Sequence, residues 1–515
     1  MSPTLPRMTA SPSIYEVVRA GLGADGRLPA QGFALPDDPA PAPDQLLWAP
    51  GAIDGVLAGP GKKAAKKQAR AASHALVKAT RQPTERRLAT LYETLRDESS
   101  LGYVDKMIEY VVTADPDAGT VHDLGVWLAT TATDRSPVKI GLALVGITGL
   151  RDAGEVVMTL GAHDEFTLFA AVALSNGTPT PELDLWHLAQ RVDGWGRIQC
   201  VEQLRGASDP QIKDWLLREG FRNSIMYEYL AFIAATTGDL LGALRRPDVD
   251  RELLTSAGQI ITALIDGGPA EDIGDLTDAP ALLDAYLDLL ADRAETLTDL
   301  DTAVSIVGVL DRDPHGWAES KRAGLLDKAQ RVIAAPLWPT LVTAGLESDD
   351  PHTFWLANQA APRFAIDTFD IHLARLRADP FGTSWYAAWQ AADSADRRGA
   401  LVSLARNTCP REAITTGAPD TLLGFGPEFR VHDVLGWTLQ ELRHYPGTGT
   451  DLVALGLCSP VARNRNMSLN VLKEWPVEDW SDVVGEHLRE LASSDRHEDI
   501  RAAAGELLAR LDPRQ

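Results

Sequence analysis

Helix-starting signals punctuate this chain again and again, and no other feature constrains its fold as tightly. Ser136-Pro137, Thr180-Pro181, Asp209-Pro210, Asp313-Pro314, Asp350-Pro351 and Ser459-Pro460 each set a capping side chain directly before proline. The cap oxygen accepts an orphan N–H of the first helical turn, and proline there loses nothing by lacking its own. Ser11-Pro12 reads the same way and predicts a short helix to about Ala20. Between these starts the apolar residues recur with helical period. Leu253, Leu254, Ala257, Ile260, Ile261 and Leu264 follow an i, i+3/i+4, i+7 stripe, as do Leu282, Leu283, Tyr286, Leu289 and Leu290. Ile500, Ala503, Ala504, Leu507, Leu508 and Leu511 do so again near the C-terminus. Alternating, strand-like runs of useful length are scarce. The fold class is all-α.

Spacing adds an architecture. Apolar helices begin near Pro137, Glu165, Trp195 and Arg222, about 30 residues apart, and related starts at Ser459 and Asp499 lie about 40 apart. Periods of this size mark helical repeats, whose units bury their apolar faces only against neighbours. The segment Asp495 to Leu511 resembles the second helix of a HEAT repeat, with Asp499, Ile500, Arg501 and Ala504 matching its Asp-Val-Arg-x-x-Ala core. Ser459 to Leu472 is a looser match with Arg463 displaced by one position, and Pro137 to Leu150 and Asp350 to Phe364 lack the arginine in place. The resemblance implies a HEAT-like, armadillo-type α-solenoid of stacked antiparallel helix pairs, with Asp499 and Arg501 as rungs of a ladder between repeats.

On this reading residues 1–61 are a short helix and a Pro-rich N-terminal arm, since Pro29, Pro36, Pro39, Pro41, Pro43 and Pro50 exclude a helix or central strand. Leu46, Leu47 and Trp48 are expected to pin that arm. Residues 62–265 form an N-terminal half of helical repeats, 266–281 an acidic Gly/Pro linker, and 282–515 a C-terminal half ending in HEAT-like repeats.

Charge and cysteine content remove several function classes. With 49 Lys+Arg against 72 Asp+Glu the net charge is −23, which disfavours broad binding of nucleic acid and suits a basic protein partner. Cys200, Cys409 and Cys458 are too few and too scattered for a disulfide framework or a Cys-rich zinc site. No apolar segment follows the N-terminus as in a signal peptide, and Leu142–Leu150 is about half a membrane span, so a cytoplasmic protein with no membrane span is expected. The Arg- and Ala-rich usage resembles that of a high-GC bacterium.

Motif by motif, familiar chemistry is not found. Gly21-Leu-Gly23-Ala-Asp-Gly26 fits GxGxxG, but a helix precedes it and Pro29 blocks the helix that should follow, so it reads as a turn. Gly59-Pro-Gly61-Lys62-Lys63 lacks both the first glycine and the hydroxyl of a phosphate loop. Lys62, Lys63, Lys66, Lys67 and Arg70 read as a solvated helix face rather than an anion site. His-Glu occurs once, at His497-Glu498, and no HxxxH pair exists, so neither metal nor cofactor is expected. Ser384 lacks the second glycine of GxSxG. Trp385 and Trp389, at i and i+4, read as core.

Two candidate contact surfaces stay in view. Trp195 in Asp193-Gly-Trp-Gly-Arg197 has glycines on both sides and is expected to be an exposed aromatic anchor, with Arg197 beside it. Asp284, Asp288, Asp292 and Glu295 belong to an acidic stretch whose one local cation is Arg293, and could dock a basic partner. The expected function is a protein-interaction scaffold or adaptor. A sequestering, immunity-type inhibitor of a basic protein and a HEAT-fold lyase or glycosylase without a recognisable motif are the alternatives.

Overall fold

A computed structural model of the chain describes residues 5, 11–29, 33–38, 49–52, 62–96, 100–312, 316–416, 424 and 426–511. Among them every regular element is helical, with 28 α-helices and no strand. They divide into two compact units, one ending at Pro336 and one beginning at Leu337.

The first unit opens with α1 (Ile14–Gly21), α2 (Lys62–Arg81), α3 (Glu85–Leu95) and α4 (Val104–Ala114). Next come α5 (Ala118–Thr131), α6 (Arg135–Thr148), α7 (Gly154–Gly161) and α8 (Asp164–Gly177). Then follow α9 (Pro181–Ala189), α10 (Gly194–Gln203), α11 (Pro210–Trp215), α12 (Glu228–Thr237) and α13 (Leu240–Leu244). The unit closes with α14 (Arg251–Asp266), α15 (Ala279–Arg293), α16 (Leu297–Arg312) and α17 (Glu319–Ile333). Packing is strongly ordered along the chain. Helix α6 lies on α8, α8 on α10, α10 on α12, α12 on α14 and α14 on α16. Each helix of this row meets the second helix after it, and the intervening ones flank the row.

The second unit holds α18 (Trp338–Leu346), α19 (Pro351–Ala360), α20 (Phe369–Ala378) and α21 (Trp385–Gln390). It continues with α22 (Ala395–Thr408), α23 (Arg411–Thr415), α24 (Arg430–Leu442) and α25 (Thr450–Leu457). It ends with α26 (Ala462–Glu474), α27 (Val484–Ser494) and α28 (Glu498–Leu511). Here α22, α24, α26 and α28 form a second row of the same kind.

The apolar stripes are what hold these rows together. All six stripe residues of α14, from Leu253 to Leu264, are buried. Each leucine and isoleucine among them contributes about 1.5–3 kcal/mol relative to an exposed one. Among the described residues no helix is long and apolar enough to cross a membrane.

The cap-and-proline signals succeed unevenly. Asp209 accepts from Gln211 N–H at 2.7 Å and Asp350 from Thr353 N–H at 2.7 Å, each with proline in the first helical turn. Thr180 precedes Pro181 of α9, although its hydroxyl turns to Asp184 instead of capping the backbone. At the N-terminus the cap is Ser13, not Ser11, because Ser13 and Glu16 close a reciprocal capping box. Ser136-Pro137 lies inside α6, which starts after Asp134, and Ser459-Pro460 ends two residues short of α26. Asp313-Pro314 lies outside the described residues.

The sequence 21–26 is a turn, with Gly26 at φ 74° and its N–H donating to Gly23 O at 3.0 Å. Leu46, Leu47, Trp48 and Gly59–Gly61 lie outside the described residues. The described part of the arm is anchored by buried Leu35, by Phe33 against His163, and by polar ties: Arg135 holds Asp37, its backbone N–H at 2.8 Å and Nε at 3.0 Å, and Gly51 N–H donates to Glu165 at 3.3 Å.

Candidate functional site

Helix α21 is fixed by Trp385 and Trp389, both essentially fully buried one turn apart. Trp385 Nε1–H donates to Pro380 O at 2.9 Å, which ties the start of α21 to the preceding loop. With that face committed to the core, Tyr386 must point the other way, and 61% of it is exposed. Helix α19 does the same with Leu356 and Ala357 inside and Trp355, 49% exposed, outside. These two are the sole exposed aromatic residues among the described ones, and both line one cleft.

That cleft encloses about 940 Å³ between α19, α20 and α21. Phe354, Trp355, Asn358 and Gln359 come from α19, His372 and Arg375 from α20, and Tyr386 and Gln390 from α21. Ala365 sits on its rim at φ 52°, a left-handed conformation that costs a residue with a Cβ about 1 kcal/mol or more.

Its polar groups are largely spoken for. His372 is 1% exposed and pairs through Nε2 with Asn358 Oδ1 at 2.7 Å. Burial, aided by nearby Arg375, pushes the imidazole down to about 4, so it is neutral at physiological pH. Arg375 lies 3.7 Å over the Phe354 ring and donates to Ser348 O at 2.7 Å. Arg397 lies 4.7 Å over Phe369, bonds Asp367 and reaches Asp393 at 3.4 Å. The hydrogen bond from Arg397 holds Asp367 below the usual carboxylate range. The groups assembled here are flat aromatic faces, amides and charged side chains.

No family model matches the chain, and no curated protein matches it. The geometry therefore carries the functional reading by itself.

Trp195 is a correction. It is 8% exposed, edge-on to Tyr229 at 5.2 Å, in the first turn of α10 rather than in an open turn. The glycines do not strip away cover; they let α10 approach α8. A Cβ on Gly196 would come within 2.5 Å of Asp164 Oδ1 and 2.8 Å of Thr167 Oγ1. Arg197 is equally buried, its Nε donating to Val192 O at 3.0 Å and Nη1 to Glu219 O at 3.2 Å. Neither residue is an exposed contact.

Several buried and half-buried ionisable groups lie at the start of α8, which packs on α10, and in α6, which packs on α8. Lys139 donates to Glu165 at 2.7 Å, and Lys139 and Arg135 together hold Glu165 below its ordinary range despite burial. Asp164 is pushed up to about 7 by burial, opposed by the Gly196 N–H. His163, beneath Phe33 of the arm, is driven down to about 4 by burial.

Of the acidic stretch, Asp284 and Asp288 are both drawn to Lys328 of α17, at 2.6 and 2.5 Å, so a cation distant in sequence answers them. Glu295 reaches Arg251 at 3.5 Å, and Asp292 is exposed. At the C-terminus Asp499 is exposed, while Arg501 folds back on its own turn, donating to Asp495 O at 2.7 Å. The rung between neighbouring helices is Asp495 with Arg465.

In the basic helix, Lys66, Lys67 and Arg70 are exposed, and the side chains of Lys62 and Lys63 lie outside the described residues. A smaller cleft of about 500 Å³ holds Cys458 with its Sγ 3.5 Å from both ring nitrogens of His487. Burial pushes that thiol up, away from a reactive thiolate. No cluster of three or more His, Cys, Asp or Glu suited to a metal exists among the described residues.

Sequence reasoning missed Trp355 and Tyr386. Their signal is phase: each stands one residue off the buried positions of its own helix, Leu356 and Trp385. An aromatic out of step with its apolar stripe has to face outward.

Proposed function

We propose that the chain is a binding scaffold of the HEAT-like solenoid type, which recognises a protein or peptide through the α19–α21 cleft. The rows of second-neighbour helices support the layered architecture, since layers stacked in chain order pack in that way. Cross-layer ties of similar sequence separation support it too: Arg397 to Asp367, Arg463 to Asp433 and Arg465 to Asp495 each span 30 residues.

The observation that carries the reading is the meeting of Trp355 and Tyr386, the exposed aromatic residues among those described, on one cleft. Leaving two large rings in water forgoes burial energy of a few kcal/mol, and rigid amphipathic aromatics are what binding hot spots are made of.

Selection of peptides from a random display library on the full chain tests it. Enriched peptides should lose binding to a W355A/Y386A variant of unchanged helix content. Enrichment indifferent to both substitutions would sink the reading.

A further inference from the structure

We infer that the α19–α21 cleft takes a cationic side chain, the arginine or lysine of a basic peptide partner; the inference rests on the cleft being the recognition site.

The argument is charge and ring faces counted together. The ionisable groups lining the cleft, with His372 neutral, are Asp349, Asp367 and Asp393 against Arg375 and Arg397. Arg397 is neutralised by carboxylates, whereas Arg375 is anchored by a ring face and a backbone carbonyl. Arg375 is held by Ser348 O, and Arg397 by Asp367, Ala391 O and Asp393. An anionic ligand would face three carboxylates against two arginines, one of which is already ion-paired.

The cleft also shows how its own cations are stored. Each arginine lies over a phenylalanine, Arg375 over Phe354 at 3.7 Å and Arg397 over Phe369 at 4.7 Å. Those faces are occupied from within. Trp355 and Tyr386, the rings whose quadrupoles attract cations more strongly, carry no such guest among the described residues, and Trp355 is backed by His352 stacked at 6.3 Å.

Asp349, exposed at the mouth beside α19, has no ion-pair partner among the described residues. Two exposed rings and a carboxylate without an ion-pair partner among the described residues line the same cleft, and together they form a receptor for a cation. The long-range field agrees, because a chain of net charge −23 draws basic partners toward it.

Specific capture has to be separated from the general pull of an acidic surface. The probe is a fluorescein-labelled Gly/Ser peptide with three arginines, compared with its citrulline counterpart of the same shape and no charge. Anisotropy is read at about 0.15 M salt, where exposed charges beyond about 8 Å are screened.

The arginine peptide should bind at least tenfold more tightly than the citrulline one. W355A/Y386A, which changes no charge, should weaken it at least tenfold. D349N/D393N, which changes no ring, should weaken it by about threefold to tenfold. Trp355→Lys, a substitution at an exposed position, places a cation in the cleft and should abolish binding while circular dichroism stays unchanged.

Arginine-peptide binding that survives both W355A/Y386A and Trp355→Lys would place it elsewhere on the acidic surface and overturn the inference. No binding of the arginine peptide to the wild-type chain would overturn it equally. Equal binding of both peptides, lost in W355A/Y386A, would overturn the cation preference while leaving the cleft as the recognition site.

Discussion

Arg465 Nε lies 2.7 Å from Asp495 Oδ2, and the two side chains are 7% and 3% exposed. The pair joins α26 to the turn before α28, and both partners do more than pair. Arg465 donates to Ser459 O and Pro460 O at 2.7 and 2.9 Å, and Asp495 accepts from His497 N–H at 2.9 Å. Breaking a buried pair by removing one partner leaves an uncompensated charge, at a cost of about 3–5 kcal/mol. Arg465→Met alone should therefore lower the urea midpoint sharply. Adding Asp495→Leu to it should recover part of the loss, since two apolar groups of similar volume leave no lone charge. A double variant less stable than Arg465→Met would contradict this account.

How much of this could be read from sequence depended on whether the cue was local. The α14 stripe needs only helical period, and all six of its members are buried. The all-α class follows from the same cue. Cap positions were legible where Asp precedes Pro, at Asp209 and Asp350, and slipped at Ser11, where Ser13 takes the cap, and at Ser136, which lies inside a helix that begins after Asp134 without a side-chain cap. Trp195 failed for a different reason. Flanking glycines signal close approach as readily as exposure, and only the position of Asp164, some thirty residues earlier, decides between them. The Lys328 partner of Asp284 and Asp288 is equally remote. The cleft was half legible: Trp385 and Trp389 read as core, yet the ring facing water was the one between them.

Asp164 gives the first unit a pH dependence whose sign is fixed. Its folded-state value, about 7, lies above the ordinary 3.8, so the folded chain holds a proton that the unfolded chain has lost. Stability from this group is complete below about pH 4 and is lost as pH rises through about 7. His163 runs oppositely: its depressed value, about 4, makes stability fall on acidification from about pH 6.5 toward 4. The two oppose each other in mild acid, and above about pH 6.5 Asp164 acts alone. Urea midpoints measured from pH 6.5 to 8.5 should fall for the wild type and stay level for Asp164→Asn, which keeps an acceptor for Gly196 N–H. Parallel curves would reject the assignment.

Trp385 and Tyr386 are neighbours in sequence with opposite expected costs. Trp385 is fully buried with its indole N–H satisfied, and its truncation to Ala should destabilise by about 3–5 kcal/mol. Tyr386, 61% exposed, should cost within about 0.5 kcal/mol on the same substitution. Chemical denaturation of the two variants measures both. A large loss for Tyr386→Ala would mean that the ring supports the fold and is not held in reserve for a partner.

Two helical glycines separate packing from propensity. At Gly141 in α6, an added Cβ would sit 2.7 Å from both Gly125 O and Ala129 N of α5. Those are backbone atoms and cannot swing aside, so the helices must part. Forcing extra volume into such a contact typically costs about 1–3 kcal/mol, more than the roughly 1 kcal/mol that alanine gains over glycine inside a helix. Gly141→Ala should therefore lower the thermal midpoint. At Gly399 in α22 an added Cβ meets nothing within 4 Å and the residue is exposed, so only the propensity term operates. Gly399→Ala should raise stability by about 0.5–1 kcal/mol. The same chemical change thus has opposite signs at the two sites, and a stabilising Gly141→Ala would show that α5 and α6 do not meet as closely as their backbones require.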